Sequence, residues 1–191
     1  MSKAGSDESG VYYNRSDYAS LPIRFLIAGV DLIVLVIIAN FISWLWMWAE
    51  PPDIVTISEN GWLSAAILSP KFFWVVTGIA YFYLVIAKQS RFRTVGYRIF
   101  KVKIVDLHGS SPKLATMTWR FILLVFGPFN LLMDLVWLGG DENRQTLRDK
   151  FAGTYVVSVR AHPAGIGPII FENYYLLGLA MIFRKVKRSD P

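Results

Sequence analysis

Arg24 and Asp31 stand seven residues apart inside an otherwise apolar run, PIRFLIAGVDLIVLVIIANFISWLW, residues 22–46. At about 100° per residue, seven steps close nearly two turns, so both side chains leave one face of a helix. They lie about 10 Å apart along its axis, too far for a direct ion pair. Each charge needs a partner from another segment. A charge left near the middle of a bilayer costs about 2.5–3.5 kcal/mol on insertion scales. Arg24 can reach back toward headgroups, but Asp31 is short and sits about 10 Å deeper. It must be protonated, paired or facing water.

Asp134 lies in a later apolar segment that Arg120 opens. The expected site is a buried polar cluster of Arg24, Asp31, Arg120 and Asp134 facing the bundle interior, with Asn40 and Asn130 as further members. Such a cluster can carry protons, ions or a small solute, because intramembrane ionisable residues mark such paths. It can also do no more than fix helix register and packing, or help dock a partner.

The elements that must hold this cluster follow from composition. The chain has 191 residues, 54% hydrophobic and only 18% charged. Soluble domains carry about 25% charged residues, so long apolar runs here indicate an integral membrane protein of one domain. There is no cysteine, which excludes disulfides, thiolate catalysis and Cys-ligated metals. Histidine occurs only as His108 and His162. No Ser-His-Asp order, P-loop, GxGxxG or metal-ligand spacing is present. No enzyme chemistry, catalytic residue, metal or cofactor is therefore expected. Nucleic acid is not an expected partner either, since the basic residues sit beside spans, where topology and anionic lipid account for them.

Residues 1–20 are polar and lack the secretory pattern, so the first apolar run is expected to be retained rather than cleaved. Span one is expected from Ile23 to Trp48, with Trp44, Trp46 and Trp48 as an outer aromatic belt and Pro51-Pro52 ending the helix. The outer loop carries the turn signal Asn60-Gly61-Trp62. Span two is expected from Phe72 to Ala87. No Lys or Arg lies between Arg24 and Lys71, whereas the connection after span two holds Lys88, Arg91, Arg93, Arg98, Lys101, Lys103 and Lys113. By the positive-inside rule that connection and the N-terminus are cytoplasmic.

Phe92, Val95, Ile99 and Val102 fall on one helical face with basic residues around it. This predicts an amphipathic cytoplasmic helix whose Arg91, Arg93, Arg98, Lys101 and Lys103 bind anionic headgroups. Lys101–Ser110 and Thr154–Arg160 are rich in Val and Ile and predict two strands. Between them, Gly127-Pro128 breaks the segment 119–140, which either kinks across the membrane or re-enters as a helical hairpin. The apolar stretch 166–183 predicts an interfacial helix or a short span. The expected fold class is thus an all-α membrane protein. It is a small polytopic helical bundle with two full spans, a Gly-Pro-broken third segment, a cytoplasmic amphipathic helix and a short β-hairpin-like element. Its parts are a cytoplasmic segment 1–20, a transmembrane domain 21–160, and a C-terminal helix with a basic tail, 161–191.

Arg24, Asp31, Thr94–Asp106 (TVGYRIFKVKIVD), Arg120 and Arg144–Val157 (RQTLRDKFAGTYVV), in that order, resemble the RDD family of prokaryotic membrane proteins. The family is named for one arginine and two aspartates, and the resemblance covers roughly residues 20–160. It implies that Arg24 and Asp31 are the first two of these, that Asp149 is the second aspartate, and that Asp134 is a further acid many members carry. Arg148 stands where many relatives have histidine, which removes a group titrating near neutral pH. The resemblance implies no cofactor and no enzyme chemistry, and some members look like cation/proton antiporters. Physically, Asp149 is placed to accept hydrogen bonds from the basic 91–103 segment, or to sit at a solvated helix end.

Two functions remain open. One is a transporter component for cations, protons or a small solute that uses these intramembrane charges. The alternative is a non-catalytic subunit or assembly factor docked to a larger membrane complex. So few spans also imply self-association or a membrane protein partner.

Overall fold

The computed structural model describes residues 8–49, 70–125, 141, 143–176 and 179–188. Pro51-Pro52, the loop at Asn60-Gly61-Trp62, the Gly127-Pro128 break, Asn130 and Asp134 lie outside the described residues. Two helices are long and apolar enough to cross a membrane. The first, α1 (Leu21–Ala49), has 29 residues, about 43 Å at the helical rise and longer than the roughly 30 Å hydrocarbon layer. The second is α2 (Pro70–Tyr81), which continues through a π-helical turn at Phe82–Ala87. These helices do not form the core of a soluble fold: only Ile27 and Asp31 of α1 are buried, and Leu32, Ile37 and Trp48 are 61%, 62% and 84% exposed.

The two helices run antiparallel. At one end Trp46 meets the Phe72 ring edge-on at 5.9 Å. At the other, Arg24 and Lys88 line one cleft. That second end carries the other described elements. A short helix α3 (Val95–Ile99) leads into strand β2 (Val102–Asp106). Helices α4 (Leu114–Val125) and α5 (Leu147–Ala152) follow, then strand β3 (Thr154–Ser158). The chain closes with β4 (Gly165–Leu176) and β5 (Leu179–Val186). Ahead of α1, β1 (Ser9–Tyr12) pairs with β4, so the three-stranded sheet has the order β1-β4-β5.

Strands β2 and β3 pair antiparallel from Val102 opposite Ser158 to Asp106 opposite Thr154. Side chains alternate across a strand, and here both faces are covered. Val102, Ile104 and Val156 face the helices, packed with Ile27, Val85, Tyr97 and Met117. Val105, Tyr155 and Val157 face the other way, packed with Tyr13, Tyr18 and Val186. Tyr13, Tyr18 and Tyr155 meet edge-to-face, with centroids 5.6–6.4 Å apart. The β2–β3 pair is therefore the layer that joins the membrane helices to the terminal strands.

Three expectations are corrected. The fold is not an all-α bundle, because antiparallel sheets make up one end of it. The stretch 166–183 is no helix but a β-hairpin, with Leu176 opposite Leu179. Its apolar content reads equally well as either, but Gly165, Gly167 and Pro168 disfavour a helix, and β-branched and aromatic residues fill a strand. Glu172 and Lys185, 3.2 Å apart, bridge the two strands. The amphipathic helix shrinks to Val95–Ile99, bounded by Arg93 at φ 53 and Lys101 at φ 52, a left-handed backbone that no helix continues through.

Candidate functional site

The sequence TLRD (Thr146 to Asp149) starts α5 with a capping box. Asp149 donates its backbone N–H to Thr146 Oγ1 at 3.2 Å, and Thr146 donates its own to Asp149 Oδ2 at 3.1 Å. Gly153, at φ 60, ends the helix in the left-handed conformation that lacks a Cβ penalty. This two-turn element fixes one fully buried carboxylate.

Two guanidiniums converge on it. Arg24, at the start of α1, places Nη1 2.5 Å from Asp149 Oδ2. It also donates to the carbonyls of Arg144, at 2.8 Å, and Ala19, at 3.3 Å. Arg144 is itself left-handed, at φ 47, a strained conformation that aims its carbonyl at Arg24. Arg120, on α4, pairs with Asp149 Oδ1 and donates to Thr154 Oγ1 on β3. Burial alone would push the Asp149 carboxyl up, but Arg120, Arg24 and the Thr146 N–H outweigh it and hold it well below the usual carboxylate range. Asp149 therefore stays charged and ties α1, α4, α5 and β3 at one point.

Asp31 lies nearly two turns deeper in α1 than Arg24 and belongs to a second knot. Its Oδ2 accepts from Thr94 Oγ1 at 2.9 Å. Its Oδ1 accepts from the Gly96 N–H at 2.9 Å and from Tyr83 Oη at 3.0 Å. Tyr83 comes from the π-turn and also accepts from the Val95 N–H at 3.1 Å. Gly96 must be glycine here: a Cβ would stand 2.7 Å from the Ile27 carbonyl and 2.9 Å from Asp31 Oδ1. Asp31 is 4% exposed.

Arg24, Arg120 and Asp149 thus come together, while Asp31 forms its own knot with Tyr83, Thr94 and Gly96. Of the expected cluster of Arg24, Asp31, Arg120 and Asp134, the last lies outside the described residues and the other three split in two, because Asp149 is the acid that collects both arginines. Among the described residues, Asp149 takes its ion pairs from Arg24 and Arg120 rather than from the basic 91–103 segment. Asn40 donates to Val36 of its own helix and is exposed, so it joins neither knot. Arg91, Arg98 and Lys101 are exposed, and Arg93 and Lys103 are half-buried. Among the described residues, no group of three His, Cys, Asp or Glu side chains is placed to hold a metal ion. The capping box has a local signature, Thr146 three residues before Asp149, that the sequence expectations did not use, whereas nothing in the local sequence singled out Tyr83, Thr94, Gly96 or Arg144 as partners of the buried charges.

A third ionic contact lies beside the first. Lys150, 1% exposed, sits 2.5 Å from Asp141 and donates to Tyr174 Oη on β4 at 3.0 Å. Between α1, the π-turn and α4 lies a cleft of about 410 Å³, bordered by both knots.

Residues 18–153 match the RDD family. The chain is 30% identical over 140 residues to the uncharacterized protein YckC of Bacillus subtilis (strain 168), covering 70% of this chain and 80% of that protein. No solved structure matches.

Proposed function

This chain belongs to the RDD family, and from that premise we propose that it is a non-transporting membrane subunit or assembly factor, docked through its spans to a larger membrane protein complex. The observation that carries this reading is the state of Asp31. Both carboxylate oxygens already accept hydrogen bonds, from Thr94, Gly96 and Tyr83, and the group is buried. A passing cation would have to displace all three donors, and one of them is backbone that cannot swing away. Asp149 is likewise spoken for by Arg24, Arg120 and Thr146. These charges hold a module onto two spans; they are not arranged as a relay. The long exposed apolar face of α1, including Leu32, Ile33, Ile37 and Phe41, supplies surface for lipid and for a partner's helices.

The charged end faces the cytoplasm of a bacterial cell in this reading, because Lys88 and the five basic residues of 91–103 gather there. Exposed Phe92 and Ile99, beside Arg91 and Arg98, would rest against anionic headgroups.

Transport is the second reading, favoured by the cleft that borders Asp31. Cation/proton exchange in everted vesicles separates the two. Vesicles with the wild-type chain are expected to keep a pH gradient when a cation is added, as are those with Asp31→Asn. Gradient loss with wild type and not with an equally inserted Asp31→Asn would replace the docking reading with transport.

A further inference from the structure

One face of the β4–β5 hairpin changes character along its length. In the antiparallel register Ile169 stands opposite Val186, Phe171 opposite Arg184 and Asn173 opposite Ile182. Alternate residues share a face, so these three pairs lie on one side of the hairpin. The first pair packs against the cluster of Tyr13, Tyr18 and Tyr155. Beyond it the face is open: Phe171 is 72% and Ile182 64% exposed, and Asn173 and Ala180 are exposed as well. A largely apolar open face thus begins where the tyrosine layer ends.

Charge falls away along the same axis. Glu8 pairs with Arg184 at 2.5 Å and Glu172 with Lys185 at 3.2 Å, both toward the end that joins β1. From Asn173 to Phe183 the sequence holds no charged residue. The hairpin is therefore polar at the β1 end and apolar toward its turn.

Contacts fix where the apolar end stands relative to the spans. Ile169 and Val186 pack on the face of β2–β3 that points away from the helices. Three residues nearer the turn, Phe183 meets the Phe151 ring of α5 at 4.9 Å, and Tyr174 Oη accepts from Lys150 at 3.0 Å. Asp149 of the same short helix holds Arg24 in the first turn of α1. Between Val186 and Phe183 the hairpin thus passes from the far side of the strand layer to the level at which the first span begins. Phe151, 47% exposed, continues the open apolar surface at that level. The four steps from Phe183 to Leu179 add about 13 Å at the rise of a strand. β5 is an edge strand, and an open edge cannot cross the hydrocarbon, but the headgroup–acyl boundary, about 5–10 Å deep, tolerates one.

We propose that the turn end of the β4–β5 hairpin, led by Ile182 on its open face, inserts into the headgroup–acyl boundary of the leaflet at which α1 begins, as a membrane contact outside the two spans. The hairpin lies beyond residues 18–153, the stretch that matches the family. The proposal rests on the membrane placement of α1, and stands whether the protein docks or transports.

The chain has no cysteine, so single nitroxide labels can be placed on the full chain without removing native thiols. Ile182→Cys and Ala180→Cys report from the open face, and Lys187→Cys from the exposed β1 end. Each labelled protein is reconstituted in vesicles of phosphatidylethanolamine and phosphatidylglycerol. Collisions with oxygen, which partitions into lipid, are compared with collisions with a water-soluble nickel chelate. At 182 and 180, nickel collisions are expected to be about fivefold rarer than at 187, and oxygen collisions more frequent. Should one of the two open-face variants fail to fold, the other decides. Nickel access at these positions equal to that at 187 overturns the proposal, because the hairpin then stands in water. Low access to both reagents, with dipolar broadening that fades on dilution with unlabelled protein, overturns it too, since a second copy then covers the face.

Discussion

Arg24 and Asp149 lie 125 residues apart in the chain and 2.5 Å apart in the fold. This one contact connects the first turn of a membrane span to the short helix that precedes β3. With Arg120 on the opposite oxygen, one buried carboxylate serves two guanidiniums. Removing the charge would take from two half-buried guanidiniums the carboxylate on which they converge. Asp149→Asn keeps a capping side chain but loses the charge, and is expected to destabilise the protein by about 3–5 kcal/mol. Thermal unfolding in detergent, followed by tryptophan fluorescence, measures it. A cost below about 1 kcal/mol would mean that the arginines find water or lipid instead.

The same knot has a pH signature. Burial raises the Asp149 carboxyl, while Arg120, Arg24 and the Thr146 N–H lower it further than burial lifts it. The folded protein therefore binds this proton less readily than the unfolded chain. The stabilisation is complete above the unfolded value of about 4 and drains away as pH falls below it. The Tm difference between wild type and Asp149→Asn is expected to be constant from about pH 7 to 5 and to narrow below about pH 4. A gap that stays constant down to the lowest measurable pH would remove Asp149 as the titrating group.

Arg24→Lys is expected to behave as a damaging substitution. The guanidinium serves three acceptors at once, Asp149 Oδ2 and the carbonyls of Arg144 and Ala19. An ammonium keeps the charge but cannot span that fork. A loss of about 2 kcal/mol is expected, on the scale of hydrogen bonds to charged groups. A double-mutant cycle with Asp149→Asn should show coupling well above about 0.5 kcal/mol. Additive losses would mean that the two residues act independently.

Much of this site was legible one residue at a time and illegible as pairs. Arg24, Asp31 and Arg120 stand out because charge within or beside apolar runs is costly, and Asp149 only through the family resemblance of its stretch. Which acid takes which base depends on contacts more than a hundred residues apart, as with Arg24 and Asp149, and no local pattern encodes these. The two spans and the strand pair β2–β3 are strong signals of length and β-branching. The 165–186 hairpin failed for the opposite reason: its apolar residues satisfy the length of an interfacial helix, and the weak local bias of Gly165, Gly167 and Pro168 against a helix is made decisive by pairing with β1 and packing on Phe151. The π-turn left no mark on the sequence, yet it delivers Tyr83 to Asp31.

Gly96 is the tightest point between α1 and α3. Gly96→Ala would drive a methyl to 2.7 Å from the Ile27 carbonyl, a backbone atom that cannot rotate away. Separation of the helices should cost about 1–3 kcal/mol. Tyr83→Phe, which removes the hydroxyl that donates to Asp31 and accepts from the Val95 N–H, is expected to cost about 1 kcal/mol. If unfolding in detergent ranks Tyr83→Phe as the more harmful, the close approach at Gly96 is not what limits the packing.

The terminal hairpin is held by a different ion pair, and this can be read locally. Lys150 contacts Asp141 at 2.5 Å and Tyr174 Oη at 3.0 Å, and its ammonium lies 4.6 Å from the Tyr174 ring centroid. Tyr174 in turn donates to Glu172 at 2.6 Å. Lys150→Met preserves the stem but leaves the Asp141 charge buried without its ammonium, while Phe151 still packs on Phe183 at 4.9 Å. Opening of the hairpin should therefore become easier without loosening the spans. Hydrogen exchange is expected to quicken at least tenfold at 169–176 and 180–186, with α1 and α2 unchanged. Uniform acceleration across the chain would instead make Lys150 part of the global stability of the fold, and an unchanged hairpin would leave its attachment to the β1 edge and the tyrosine layer alone.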